Sequence, residues 1–519
     1  MVIDLLYKYN SRKKVTQMKA LLGLDLGTSA AKCLVMDLQG KVLGVASTAY
    51  PTYTPQPGWV EQKPIDWWHA CVNSVRACLR EIPSTVSIEG IALSGHMSAL
   101  CMVDSEGNAL LPSITLSDTR SETQTSWLGA NYRDKLVGVS GNVPIDALLL
   151  PKLLWVKETL PEVLATTHRL LFPKDYLLYR LTGRFVTEPT DAGNSMVYDV
   201  QRGKWDDDLI RQFGLPTSVF PDVVDTTEQV GDLLPEAASV LGLQPGVPVV
   251  AGGADMACSA LGTGAVSPGV VSITIGTAAQ VLTTVPAIHR DGIGKITFHR
   301  HALPQSFYAL GSIFTGGLAM NWLSSVLFDR SSGSYQVNDI VKLGELASTV
   351  AAKDSALMFL PFLVGRGSPK FSADARACFI GLSAHTRQGA LARAVMEGVS
   401  FNILECLDVF AQMGNPITRV HMGGGGSKLA VWRSILADVL GIEIHLMETR
   451  DASAIGAAII AGVGIGAYPD VATAANTLVH TGEVVVPSLS QTAIYNKKYQ
   501  TYRKLIESIS PLFSEIANS

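Results

Sequence analysis

Short apolar runs alternate along the chain with longer stretches whose apolar positions recur every three or four residues. That is the pattern of strands alternating with helices in α/β layers. SIEGIALSG (87–95), GVPVVAGG (246–253), VVSITIGT (270–277) and TRVHMGGGG (418–426) read as strands ending in small-residue turns. DWWHACVNSVRACLREI (66–82) and GALARAVMEGVSFNILECLDVFAQM (389–413) read as helices. In the second, Leu391, Val395, Val399, Ile403 and Leu407 recur every four residues and predict a buried face. Ligands of α/β sheets collect beyond the carboxyl ends of strands, where these glycine-rich turns fall.

One segment interrupts the apolar pattern with a charge. LLGLDLGTSAAKCLVMD (21–37) is apolar up to Asp25, turns through Gly27-Thr28-Ser29, and is apolar again through Leu34-Val35-Met36. A carboxylate between buried strands needs a partner. Gly27 permits a tight turn, and the hydroxyls and N–H groups after it are good phosphate donors. An ordinary hairpin with a polar tip is the plainer reading. The layout of LDLGTSAAKCLV returns in ITIGTAAQVLTT (273–284) as strand, Gly-Thr turn, small residues, strand. Two related hairpins predict two similar domains facing each other across a cleft that takes phosphates from both sides; chance similarity is the alternative.

Two further turns carry candidate chemistry. In VPVVAGGADMACSALG a strand ends at Gly252-Gly253 and Asp255 follows, ahead of a small-residue helix. Gly here allows close approach of a ligand, and a carboxylate is favoured at a helix start. Asp255 as a mere helix cap, worth about 1 kcal/mol, is an equal reading of the residues alone. VHMGGGGSKLAVWRSILADVL places four glycines before a helix, which exposes backbone to a flat ring or phosphate. Four glycines cost backbone entropy that a simple connection does not return, so a ligand is the favoured explanation. His299 and His301, with His289, mimic a metal cluster, but histidines two apart on a strand read as structural.

Composition narrows the class. At 519 residues the chain exceeds one core, and 47% hydrophobic against 17% charged residues suits large buried cores. A net charge of −4 argues against nucleic acid as a partner. Seven cysteines without a Cys-x-x-Cys pair read as reduced thiols of a cytoplasmic protein. Mean hydropathy is +0.25. Met256–Ile288 and Ala452–Pro469 lack formal charge, yet Gly, Pro or Thr interrupts both, unlike a membrane span of about 20 apolar residues. They read as buried strands and a buried Gly/Ala-rich helix. The basic, mixed segment 1–17 reads as a disordered extension or non-native start rather than a secretory signal. There is no P-loop and no dinucleotide fingerprint.

Taken in order, GLDLGTS, PGWVEQKPIDWW, PKLLWVKE, LFPKDYLLYRLTG, TDAG, VVAGGADMA, TIGTA, HALP, FLPFL, LARAVMEG and GGGGSKLAVWRSILAD resemble the FGGY family of carbohydrate kinases, and within it most closely the xylulokinases. The resemblance runs from Leu21 to near Tyr502. It implies an α/β fold of two similar ribonuclease-H-like, actin-like domains facing across a cleft. The N-terminal one (18–258) carries the sugar and phosphate side and the C-terminal one (259–519) the nucleotide side. It also implies ATP and Mg²⁺, a small sugar or polyol as partner, no membrane, and a homodimer.

The implied roles are these. Asp255 is the catalytic base, and Asp25 helps hold Mg²⁺. Thr28, Ser29 and Lys32 meet the β- and γ-phosphates, with Gly276 and Thr277 closing from the second domain. Gly317, Asn321, Gly424, Gly425 and Ser427 line the adenine nucleotide. The sugar side departs from the xylulokinase pattern. His96-Met97-Ser98 stands for Gln-Met-His, Leu116-Ser117-Asp118 for Trp-Asn-Asp, Asp255-Met256 for Asp-Asn, and Gly365-Arg366-Gly367-Ser368-Pro369 for Gly-Glu-Arg-x-Pro. His96, Met97, Ser98, Asp118, Met256 and Trp59, with Glu61, remain as walls for the sugar. Sites built for hydroxyls discriminate by about 10⁴ or more. The expected reaction is D-xylulose to D-xylulose 5-phosphate. Ribulose, gluconate or an erythritol-type polyol is the alternative acceptor, and a nucleotide-binding regulator of the same fold is the rival class.

Overall fold

The computed structural model describes residues 17–329, 336–449 and 451–517; residues 1–16 of the expected extension lie outside them. The first sheet is built from β1 (Met18–Leu26), β2 (Ala30–Asp37), β3 (Val42–Ala49), β4 (Val86–Gly95), β5 (Gln229–Asp232) and β6 (Pro248–Ala254). The second uses β7 (Val270–Ile275), β8 (Ala279–Val285), β9 (Thr297–Arg300), β10 (Phe307–Ile313), β11 (Arg419–Gly424), β12 (Ile444–Met447) and β13 (Thr481–Val485). The helices that matter for the site are α1 (Pro64–Glu81), α2 (Leu149–Thr159), α3 (Pro173–Thr182), α4 (Asp255–Gly262), α5 (Gln388–Gln412) and α6 (Ala452–Gly464).

The strand orders are β5-β6-β4-β1-β2-β3 and β9-β10-β8-β7-β11-β12-β13. In each sheet a hairpin (β1–β2, β7–β8) is antiparallel, and its first strand then runs parallel to a later one (β4, β11). Each also adds a second parallel strand (β6, β12) and ends on an antiparallel edge (β5, β13). The repeated hairpin of the sequence is thus the nucleus of two sheets of one topology.

β1 is buried on both faces, which is why it reads as a nearly continuous apolar run. Leu22 and Leu24 pack with Trp67 and Val75 of α1, while Leu21 faces Ile455 and Ile459 of α6. The uncharged stretches are accounted for by α4, β7, β8 and α6. A Cβ on Gly456 of α6 would lie 1.9 Å from the Cys258 carbonyl oxygen of α4, so small residues let these two helices pack backbone to backbone. No helix among the described residues is long and apolar enough to cross a membrane. The expected division at 258/259 falls inside α4. Val395, Val399, Ile403 and Leu407 of α5 are buried as their spacing predicts, and Leu391 is half-buried.

Candidate active site

The carboxyl ends of β1, β4 and β6 bring two acids together. Asp25 stands opposite Lys32 in the hairpin and beside Ser94 of β4, whose Oγ donates to Asp25 Oδ1 at 2.8 Å. Burial raises the Asp25 pKa, and Lys32 and the Ser94 bond work against that rise. Asp255 is the first residue of α4, with Ala254 in the capping position. Its Oδ1 accepts from the Met256 N–H at 2.8 Å, so the carboxylate takes one helix-start donor without standing in the capping position itself. Burial first, and then the charge of Asp25, push the Asp255 carboxyl up to about 7.

The first of the glycines before Asp255 has a role within the sheet. Gly252 has φ +83° at a register shift between β6 and β4, and a Cβ there would lie 1.9 Å from the Leu93 carbonyl oxygen. The residue lets β6 bulge against its neighbour and turn Asp255 to the sheet end. The four-glycine turn divides in the same way. Gly424 and Gly426 lie against Ile275, with Cβ positions 2.6 and 2.8 Å from its atoms, whereas Cβ positions on Gly423 and Gly425 would meet nothing closer than 3.9 and 3.8 Å. Gly425 is exposed, Gly423 and Gly424 are half-buried, and Gly426 is buried.

The two hairpin tips are exposed at Thr28-Ser29 and Gly276-Thr277. The first is braced by Tyr50, whose hydroxyl donates to the Gly27 carbonyl, and by Gln62, whose Nε2 donates to the Thr28 carbonyl at 2.8 Å. The Lys32 ammonium pairs with Asp451 at 2.7 Å, which ties this tip to the start of α6. At the second tip the Gly276 and Thr277 carbonyls accept the Gly317 and Gly316 N–H groups at 2.7 and 2.9 Å. The Gly317 carbonyl accepts from the Asn321 N–H at 3.0 Å, and Ser427 Oγ donates to the Gly424 carbonyl at 2.8 Å. The expected nucleotide residues therefore gather at the ends of β7 and β11.

The expected sugar residues separate into two groups. Met97 and Met256 pack near Tyr308 of β10, whose hydroxyl reaches Met97 Sδ at 3.7 Å. Ser98 holds a left-handed φ of +63°, and its carbonyl accepts from Lys152 Nζ at 2.9 Å. Asp118 is not a free wall. Both its oxygens are taken by Arg120 at 2.8 and 2.7 Å, and Oδ2 also accepts the Val60 N–H at 2.6 Å. Arg120 in turn pairs with Glu61 at 2.8 Å and lies 3.7 Å over the Trp59 ring. Trp59, Glu61 and Asp118 are thus joined to one another through Arg120. His96 does not offer itself as a wall either. Its ring is packed edge-on to Trp67 at 5.5 Å, and both nitrogens are buried without a partner. Burial pushes its pKa down to about 3, which keeps it neutral.

Several residues here went unread in the sequence. Lys152 is fully buried on α2, and burial pushes its ammonium down to about 7 against the pull of Asp118 and Asp146. Its signal was a lysine inside the apolar stretch LLPKLLWV. Arg120 follows Asp118 by two, a spacing that suits a local ion pair, while Tyr50 and Tyr308 carry no local signal. Arg366 of the altered Gly-Arg-Gly-Ser-Pro segment pairs with Glu405 at 2.8 Å on α5. His299 binds Asn194 and Thr297 through its two nitrogens, and no group of three metal-type ligands occurs among the described residues. All seven cysteines are free thiols.

Known proteins share this fold. The N-terminal domain model of the FGGY family of carbohydrate kinases matches residues 20–262, and the C-terminal domain model of that family matches 271–465. The xylulose kinase of Bacillus subtilis is 32% identical over 491 residues, covering 94% of this chain and 97% of its own. A gluconokinase of the same organism is 26% identical over 451 residues, covering 85% of this chain and 86% of its own. The crystal structure of xylulose kinase from Rhodospirillum rubrum superposes with a TM-score of 0.87 at 28% identity, over 95% of this chain and all of that one. With both family models laid along the two matching sheets, the chain belongs to the FGGY family of carbohydrate kinases, enzymes that move a phosphoryl group from ATP to a sugar.

Proposed function

We propose that this kinase converts D-xylulose to D-xylulose 5-phosphate, with Asp255 taking the proton of the attacking hydroxyl. The observation that carries the base is the place of Asp255, first residue of α4 at the carboxyl end of β6 beside Asp25, where burial pushes its carboxyl up to about 7. A general base works best when its pKa lies near the operating pH. Phosphoryl transfer needs little else from the protein beyond positioning and charge neutralisation. Thr28 and Ser29 would hold the phosphates from one sheet and Gly276 and Thr277 from the other. Gly317, Asn321, Gly425 and Ser427 would line the nucleotide.

The residues present fit Mg²⁺. Asp25 offers a carboxylate next to an exposed Thr-Ser tip, and this ion is commonly held by one or two carboxylates plus substrate phosphates while keeping several waters. When bound it supplies neutralisation of the triphosphate charge. Seven free thiols suit the cytoplasm. The xylulose kinase relatives support the acceptor, and the gluconokinase relative keeps aldonates as the second candidate.

The test is ADP release with Mg-ATP over pentuloses, hexuloses, polyols and aldonates, with Asp255→Ala beside the wild type. D-xylulose should show the highest kcat/KM, and Asp255→Ala should lose about 10²–10⁴-fold of it. Stronger turnover of ribulose, gluconate or a polyol would replace the acceptor. Full activity in Asp255→Ala would remove the base. Tight nucleotide binding with no acceptor turned over would favour the regulator.

A further inference from the structure

Behind the base lies a charged cluster that the transfer step does not use. Lys174 and Asp175 open α3, and the chain returns beside them at Glu188-Pro189-Thr190-Asp191. Lys174, Asp175, Glu188 and Asp191 are all fully buried. Lys174 Nζ lies 2.5 Å from Asp175, 3.4 Å from Glu188 and 3.3 Å from Asp191. One cation does not balance three carboxylates in a dry interior, and burial raises the pKa of both Glu188 and Asp191 against the pull of Lys174. Such a group is weak evidence of stabilisation, since desolvation offsets the pairing.

What the cluster does hold is direction. The Glu188 carboxylate accepts the Thr190 N–H at 2.7 Å, the Thr190 hydroxyl at 2.8 Å and the Asp191 N–H at 3.0 Å. The Thr190 proton is therefore committed to Glu188, and its oxygen lone pairs are left for another donor. That donor is the Ala254 N–H, 2.8 Å away, on the residue just before Asp255. The Thr190 carbonyl accepts from Asn194 Nδ2 at 2.8 Å, and Asn194 Oδ1 meets His299 Nδ1 of the second sheet at 2.7 Å. One short segment thus joins the buried cluster, the strand that delivers Asp255, and the opposite half of the molecule.

We propose that Thr190 is a positioning residue for Asp255: its hydroxyl, oriented by Glu188 and the Lys174 cluster, fixes the Ala254 amide and so the point where the base leaves β6. The inference rests on Asp255 being the base. A displacement of about 1 Å in a reacting group can cost about 100-fold in rate, so the relay acts on kcat rather than on nucleotide binding.

The test is steady-state turnover of Mg-ATP and D-xylulose by Thr190→Val and Thr190→Ser, with Asp255→Ala and thermal unfolding run in parallel. Thr190→Val should lose about tenfold to 100-fold in kcat with the KM for ATP nearly unchanged. Thr190→Ser, which keeps the hydroxyl, should restore most of the rate. A folded Thr190→Val enzyme with wild-type kcat, beside an inactive Asp255→Ala, would overturn the proposal while leaving the base in place. A folded Thr190→Ser enzyme that has lost about tenfold or more in kcat would overturn it too, and this arm decides the matter if Thr190→Val does not fold. Activity retained in Asp255→Ala would show instead that the base assignment, and the relay with it, had failed.

Discussion

At the scale of single residues, Asp255 trades stability for chemistry. Its folded pKa of about 7 stands above the ordinary carboxylate value, so in the folded state it holds its proton more tightly. The stabilisation this brings is complete below the unfolded pKa and is lost as pH rises through about 7. Two outcomes follow from one cause. kcat/KM for the sugar should fall about tenfold per pH unit below pH 7 and level off above it. Asp255→Asn, which imitates the neutral form, should unfold at a higher temperature than the wild type at pH 8, with the gap narrowing toward pH 5. A pH-independent gap would mean that Asp255 is not titrating where the site's burial and Asp25 place it. The acid itself was legible in the sequence as a carboxylate following two glycines. Its altered pKa was not, because that depends on burial and on Asp25, 230 residues away along the chain.

At the scale of elements, the four-glycine turn separates packing from binding. Gly424 has φ +82° and a Cβ position 2.6 Å from the Ile275 carbonyl oxygen, so Gly424→Ala should destabilise the fold by about 1–3 kcal/mol or more. Gly425 meets nothing within 3.8 Å, so Gly425→Ala should leave stability within about 0.5 kcal/mol and weaken nucleotide binding. Denaturant unfolding and calorimetric titration on the two variants would read this directly; undiminished affinity in Gly425→Ala would end the ligand role of the turn. Strands ending in glycine turns could be read from sequence because burial on both faces produces continuous apolar runs. The purpose of each glycine could not, since it is set by which strand lies alongside. The same limit hid Arg120 and its stack on Trp59: the partner residues are 61 apart in the chain, and only the fold joins them.

At the scale of the whole molecule, the two sheets share a topology and each presents one Gly-Thr tip. The repeat LDLGTSAAKCLV and ITIGTAAQVLTT was enough to anticipate this, because a hairpin with a polar tip between apolar strands leaves a periodic trace. What the repeat did not disclose is how the halves are fastened. Lys32 reaches Asp451, Asn142 exchanges two hydrogen bonds with the Phe298 backbone at 2.6 and 2.9 Å, and Asn194 meets His299. These ties involve neither Thr28 nor Thr277, which remain exposed at the two tips. Thr28→Val and Thr277→Val should each weaken nucleotide affinity by about 1.5–3 kcal/mol if their hydroxyls bond charged phosphate oxygens. Held by a single triphosphate, the two tips are coupled, so the double variant should lose less than the sum of the singles. Calorimetric titration of the four proteins with Mg-ATP measures that coupling. Strict additivity would mean that the tips act on separate parts of the nucleotide, and unchanged affinity in either single variant would mean that its hydroxyl does not bond the nucleotide.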